Sequence, residues 1–276
     1  MTTDELILVT GGTGKTGRRV SQRLVDLGVP VRVGSRSGEP AFDWTDRATW
    51  PATLAGASAA YVSFQPDLAV PGAAETIEAF ARLAVESGVQ RLVMLSGRGE
   101  REAEQAEKAL AASGADWTVV RASWFAQNFG EGAFVDDLRA GVLALPVGAE
   151  IREPFIDADD IADVAVAALT DARLVGQLYE VTGPRLLTFG DVVSEIGTAT
   201  GRDLVFQEVP MPDFLAALRD LQLPDDALWL LDYLFSEIFD GRNASVADGV
   251  QRALGRAPRD FADYARKAAA TGVWGR

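Results

Sequence analysis

The chain has no cysteine and no histidine. Without cysteine there is no disulfide framework, no thiol nucleophile and no thiolate-bound metal. Without histidine, Ser-His-Asp catalysis and the usual zinc sites fall away, and no metal is expected. Lysine occurs only at Lys15, Lys108 and Lys267, and no basic run exists in a chain of net charge −14. A surface that tracks a phosphate backbone needs clustered Lys and Arg. Nucleic acid is therefore not expected as a partner, nor is an anionic membrane. No apolar run approaches ~18 residues, so no segment is expected to span a bilayer. The polar start, Met1-Thr-Thr-Asp-Glu5, does not resemble a signal peptide. The expectation is a soluble cytoplasmic protein, and 276 residues suit one α/β domain with an appended lobe.

What is present begins at Leu6-Ile-Leu-Val-Thr10, a run of buried-strand composition. It leads straight into Gly11-Gly-Thr-Gly-Lys-Thr-Gly17, and a helix follows with Val20, Leu24 and Leu27 on one face. Gly11, Gly14 and Gly17 form a G-x-x-G-x-x-G pattern. The first glycine permits a tight turn, the second lets backbone N–H groups approach a pyrophosphate, and the third allows close packing. The anion would sit at the helix N-terminus, where unpaired N–H groups and the helix dipole favour negative charge. A second strand at Val31-Arg-Val33 completes the context that this motif needs. Gly14-Lys15-Thr16 also matches the tail of a triphosphate-binding loop, but that motif requires glycine where Val9 stands.

After the second strand, an NAD-binding chain places an acid to hold the ribose 2′-hydroxyl. Here Ser35 and Arg36 occupy that place. An arginine can grip a 2′-phosphate in forked geometry, so NADP is expected over NAD. Ala41-Phe-Asp-Trp44 reads as a short third strand. Asp43 at its end either accepts from an adenine amino group or caps the helix around Arg47–Leu54. Ala59–Ser63 reads as the fourth strand, and the turn at Phe64 and Gln65 should border the cofactor. A helix over Glu75–Ser87, a strand over Arg91–Leu95, a helix over Arg101–Ser113 and a strand over Trp117–Arg121 follow. Gly28, Gly88 and Gly114 each close a helix just before a strand. Repeated joints of this kind imply repeated βα units, hence a doubly wound α/β domain with a parallel sheet.

Beyond Arg121 the rhythm changes. Residues 130–152 show no clear period, a helix is expected at Ala158–Leu169 with Asp157 as its cap, and Tyr179–Thr182 reads as a strand. Thr188 to Asp191 has the form of a capping box, Leu204–Val209 reads as a strand, and the remainder is helical. The expected division is a dinucleotide-binding domain over 1–152, with 153–183 returning to it, and a substrate lobe over 184–276. The site is expected between the two.

The Tyr-x-x-x-Lys dyad of common short-chain reductases is absent. Four positions after Tyr61, Tyr179, Tyr233 and Tyr264 stand Gln65, Gly183, Glu237 and Ala268. An acceptor that takes hydride without a strong protein acid, such as a quinone or an iminium ion, fits this lack; a simple ketone forms an alkoxide that needs a proton or an oxyanion donor. Ser96 and Arg98 fall beside the expected nicotinamide, and with Asn128 they are the catalytic candidates. For Ser96 the alternative is a turn cap; for Arg98 it is a solvated ion pair among Glu100, Glu102 and Glu104. Trp124, Gln127 and Asn128 can stack on and orient a flat ring, or Trp124 is plain core. The apolar stretch Trp229–Phe239, with Tyr233 inside it, walls a hydrophobic substrate cavity, forms a homodimer face or is buried core.

Five runs carry a family resemblance: Thr10–Gly17, Arg91–Ser96, Arg121–Phe129, Pro154–Ala162 and Tyr179–Pro184. In this order they resemble the NmrA-like, atypical short-chain dehydrogenase/reductase family. The Phe42-Asp-Trp44 turn and the Gly255–Phe261 tail are similar to a bacterial branch close to ergot-alkaloid reductases and to quinone reductases of aromatic polyketide pathways. The resemblance implies a Rossmann domain, NAD(P)H and a smaller mixed C-terminal lobe over the substrate. It also implies cofactor contacts at Gly11, Thr13, Gly14, Lys15, Thr16, Gly17, Arg36, Asp43, Phe64 and Ser96. Isoflavone reductases in this family carry a catalytic lysine on the helix after Ser96; the matching position here is Ala103, so that mechanism is not carried over. The reading is an NADPH-dependent reductase acting on a small aromatic or hydrophobic acceptor. A quinone is favoured, including a polyketide intermediate prepared for a partner oxygenase; an iminium compound is the other choice. The rival is a non-catalytic NAD(P)-sensing regulatory protein.

Overall fold

The computed structural model describes residues 5–275; the polar start at 1–4 lies outside them. The chain forms two compact units, and the first comprises 1–122, 158–181 and 248–257. Its strands are β1 (Leu6–Thr10), β2 (Val31–Gly34), β3 (Ala57–Val62), β4 (Arg91–Gly97) and β5 (Asp116–Ala122), with Gln177–Val181 at the far edge. Its helices are α1 (Lys15–Asp26), α2 (Trp50–Leu54), α3 (Ala73–Glu86) and α4 (Arg101–Ala111), followed by Ala158–Thr170 and Gly249–Leu254. All pairings in the sheet are parallel, in the order β2-β1-β3-β4-β5 and then Gln177–Val181. The order reverses between β1 and β3, and the crevice at the carboxyl ends of such a switch point is where this architecture binds ligands. Burial explains the near-continuous apolar strands: Ile7, Leu8, Val9, Ala60, Tyr61, Val62, Leu92, Val93 and Met94 are all at most 2% exposed.

Ala41–Trp44 is not a strand. Only an isolated bridge joins Asp43 to Asp46, and the sheet takes Ala57–Val62 as its third strand. Phe42 and Trp44 are buried for another reason. They meet Phe80 at ring distances of 5.8 and 5.0 Å, with Trp50 at 5.6 Å from the same ring. Edge-on aromatic pairs of this kind each add about 0.5–1.5 kcal/mol beyond their buried area. The alternating pattern that suggested a strand serves an aromatic cluster on a loop.

The second unit comprises 123–157, 182–247 and 258–276. This differs from the expected division, which kept 123–152 with the dinucleotide-binding domain and gave 248–257 to the other lobe. Gly249 explains part of the difference, because a Cβ there would run into the Glu180 backbone (2.6 Å from its carbonyl carbon). Helix Gly249–Leu254 therefore belongs against the edge strand. The stretch with no visible period contains helix Phe134–Ala140 and strand Val142–Leu145, which pairs in parallel with Val205–Glu208. The Thr188–Asp191 capping box is present: Asp191 N–H donates to Thr188 Oγ1 at 3.0 Å and Thr188 N–H to Asp191 Oδ2 at 2.9 Å. Phe129, Phe155, Phe189 and Phe261 form the unit's centre. Trp274 is fully buried there, donating its indole N–H to the Phe129 carbonyl at 2.8 Å.

Candidate functional site

The glycine turn closes where β1 ends. Gly11 takes φ +61°, a left-handed conformation that favours glycine, and its carbonyl accepts from Gly14 N–H at 2.9 Å. A Cβ on Gly17 would lie 2.7 Å from the Gly11 carbonyl carbon and 2.8 Å from the Gly12 Cα. Gly17 thus lets α1 press against the turn. Gly12, which the spacing pattern passed over, is also constrained, since its Cβ would stand 2.7 Å from the Val33 Cγ1 side-chain methyl. Gly14 is different. A Cβ there would meet only the Gly11 carbonyl at 3.1 Å and Gln65 Nε2 at 3.9 Å. A side chain at 14 is thus tight against one backbone oxygen, where one at 17 overlaps backbone outright. Gly14 is also the N-cap of α1, with no side-chain hydrogen bond to the first turn. The first-turn N–H groups have no acceptor within the helix, and together with the bare Cα at 14 they form a cradle that fits a pyrophosphate.

Thr13 is exposed and Lys15 half-exposed on this turn, whereas Thr16 is only 4% exposed. The Thr16 side chain is therefore turned into the fold, beside the fully buried Tyr61. Burial pushes the Tyr61 phenol well above its ordinary value, so it stays protonated within the core.

Two loops flank the turn. After β2, the Ser35 carbonyl accepts from Gly38 N–H at 3.0 Å and Phe42 N–H at 2.9 Å, which folds 35–42 into a closed loop with Arg36 exposed on it. Asp43 accepts from Thr45 N–H at 2.9 Å and from the Thr45 hydroxyl at 2.8 Å. These bonds, with the Arg36 charge nearby, hold its carboxyl below the usual range. The cap of the short helix Arg47–Thr49 is Asp46, which accepts from Ala48 N–H, rather than Asp43. After β3, a Cβ on Gly11 would meet Ser63 at 3.3 Å. Phe64 is half-buried against Trp44, while Gln65 is exposed.

At the end of β4 the candidates are engaged internally. Ser96 is buried and donates to Glu107 Oε1 at 2.6 Å. A serine has one proton, so its hydroxyl has none left for a substrate. Glu107 also accepts from Arg121, through Nε at 2.9 Å and through the second arm of the guanidinium. Arg98 is not a solvated partner of Glu100, Glu102 and Glu104. Its side chain is 9% exposed, and its Nε lies 2.8 Å from Glu180 Oε1 on the edge strand. Glu180 Oε2 is 3.7 Å from Arg121. Two arginines and two glutamates thus neutralise one another across β4, β5, α4 and the edge strand. Ala103 is fully buried in the core.

In the second unit, Trp124 packs edge-on against Phe239 at 4.8 Å. Gln127 is 1% exposed and donates to Asp157 Oδ1 at 2.6 Å, so it is a buried anchor for the turn Ala126–Phe129. Asn128 is half-buried on that turn. Trp229 and Tyr233 stack at 5.7 Å with 14° between their planes, and Trp229 remains 44% exposed. The stretch is helical as expected, α-helix over Asp225–Tyr233 continuing as a wider π-helical turn over Leu234–Ile238.

The family profile described as NAD(P)H-binding matches residues 11–172. The chain belongs to that NAD(P)H-binding family. It is 30% identical over 275 residues to the agroclavine dehydrogenase of Claviceps fusiformis, spanning 94% of this chain and 95% of that one. It is 31% identical over 285 residues to a festuclavine dehydrogenase of Aspergillus fumigatus, spanning 95% and 97%. The fold matches that of an NADPH-dependent quinone oxidoreductase of Escherichia coli solved with NADPH, with a TM-score of 0.74, 21% identity and coverage of 95% and 99%. Family and full-length relatives make the chain an NAD(P)H-dependent oxidoreductase.

Proposed function

We propose that the chain is an NADPH-dependent reductase that delivers hydride to a flat, activated acceptor, a quinone by preference or an iminium compound. The observation that carries this reading is the engagement of the β4 side chains. Ser96 donates to Glu107 and Arg98 is paired with Glu180, so neither is poised to protonate an alkoxide. A hydroquinone anion is stabilised by its own ring, and an iminium carbon becomes a neutral amine on reduction; neither needs a strong protein acid in the transition state. The names of the clavine dehydrogenases and of the quinone oxidoreductase support an acceptor of this kind.

NADPH, when bound, supplies the hydride. The turn Gly11–Gly17 would hold its pyrophosphate, with Thr13 and Lys15 at the rim. Ser35 and Arg36 would hold the 2′-phosphate, Asp43 the adenine side, and Phe64 and Gln65 the wall opposite the turn. Trp124, Asn128, Trp229 and Tyr233 offer aromatic and amide surface for a flat substrate. The test is cofactor oxidation across quinones of increasing reduction potential. The rate should climb with potential. Tight NADPH binding with inertness toward every acceptor would instead make the protein a dinucleotide sensor.

A further inference from the structure

Asp67 lies on the loop that leaves β3, just past Phe64 and Gln65; Glu100 lies between β4 and α4. Glu100 is 8% exposed. Its carboxyl group lies directly over the Cα of Gly97, where a Cβ would overlap the carboxyl carbon and both oxygens. Glycine at 97 is therefore what admits this carboxyl to the end of β4. Glu100 Oε2 is sealed from solvent and has no hydrogen-bond donor. The charged groups that raise it are Asp67 from the β3 loop and Glu102 and Glu107 from α4, of which Glu107 is paired with Arg121. Asp67 is itself held by Ala69 N–H at 2.9 Å. Burial, and then the neighbouring carboxyl, raises Glu100 well above the ordinary range; burial raises Asp67 also. With Glu100 buried and Asp67 half-buried beside it, ionisation of both carboxyls is disfavoured, and one proton between them turns repulsion into a hydrogen bond.

We propose that Asp67 and Glu100 share one proton and so clamp the β3 and β4 loops together beside the dinucleotide site, coupling cofactor affinity to pH. The proposal rests on the reading of residues 11–17 and 63–65 as the cofactor site. The β3 loop forms a wall of that site, with Gln65 Nε2 3.9 Å from where a Gly14 Cβ would stand. The sign follows from the raised pKa of both carboxyls. The folded state holds a proton that the unfolded state has released, so its advantage is complete at low pH and is lost as pH rises through the pair's titration. Above that point two negative groups push the loops apart and the cofactor is released.

The infrared spectrum of the protein alone should contain a protonated-carboxyl C=O band at neutral pH that disappears in Glu100→Gln. NADPH titrations from mildly acid to mildly alkaline buffer should show Kd rising about tenfold in the parent, the size of one pKa unit of coupling. In Glu100→Gln the carboxamide donates to Asp67 without titrating, and this rise should vanish. Asp67→Asn should behave likewise and serves if Glu100→Gln fails to fold. Absence of the band overturns the shared proton. Parallel pH profiles for parent and variants overturn the clamp even where the band is present. Failure of the parent to bind NADPH at any pH sinks the cofactor reading and the clamp with it, while the band still reports the pair.

Discussion

Arg36 is exposed beside the Asp43 carboxyl at the mouth of the loop after β2, where an NAD-specific chain would carry an acid. A charge-assisted hydrogen bond contributes about 1.5–3 kcal/mol. Arg36→Ala should therefore weaken NADPH by roughly tenfold or more and leave NADH nearly unchanged. Parallel titrations of both cofactors check this, and equal losses would remove Arg36 from the 2′-phosphate. The glycines separate in the same spirit. Gly14→Val should leave a folded protein that no longer binds dinucleotide, because the added methyl groups stand in the cradle. Gly17→Val should fail to fold, because its Cβ meets the backbone of Gly11 and Gly12. Thermal melts and cofactor titrations together distinguish the two; dinucleotide binding at parental strength by Gly14→Val would refute the cradle.

At the scale of elements, the network at the end of β4 is structural. Arg98→Ala should leave Glu180 with only the longer Arg121 contact and destabilise the first unit by about 1 kcal/mol, read as a lower melting temperature rather than a raised KM for an anionic substrate. In the second unit, Asp260 caps helix Phe261–Ala270 by accepting from Ala262 N–H at 2.8 Å and pairs with Arg185 at 2.7 Å. The hydrogen bond from Arg185 is the main cause of the lowered pKa of Asp260. A depressed carboxyl contributes stability above its unfolded value, and this is lost as pH falls through the folded value. Asp260→Ala should cost about 1 kcal/mol for the cap alone, and the loss should shrink in acid. Denaturant melts at neutral and acid pH check both statements. These relations also mark what the sequence could disclose. Glycines at 28, 88 and 114, the capping box and the G-x-x-G-x-x-G turn are local, so their spacing carries their meaning. Phe42 and Trp44 alternate as in a strand, but both are buried against Phe80, far along the chain. Arg98 sits beside three glutamates in sequence and pairs with Glu180, which no local pattern announces. Asp67 and Glu100 escaped for the same reason.

At the scale of the whole molecule, the chain enters each unit three times, and a boundary drawn from one change of rhythm misses such interleaving. The units divide the expected labour: the first carries the glycine turn, Arg36 and the β4 network, and the second carries Trp124, Trp229 and Tyr233. No tyrosine is arranged as a proton donor with a lysine four residues on. Tyr61 is fully buried, Tyr179 lies under the Arg252 guanidinium at 5.1 Å, Tyr233 stacks on Trp229, and Tyr264 is 6% exposed against Phe261. In the proposed reaction the acceptor, not a protein acid, makes hydride transfer possible. The most direct test of this is NADPH oxidation with a quinone and with a saturated ketone of the same ring shape, in the parent and in Tyr61→Phe, Tyr179→Phe, Tyr233→Phe and Tyr264→Phe. The quinone should be reduced and the ketone left untouched, and every variant should retain quinone activity within about tenfold, well short of the ~10²–10⁴-fold that a general acid supplies. Reduction of the ketone, or a hundredfold loss in any one tyrosine variant that remains folded, would contradict it.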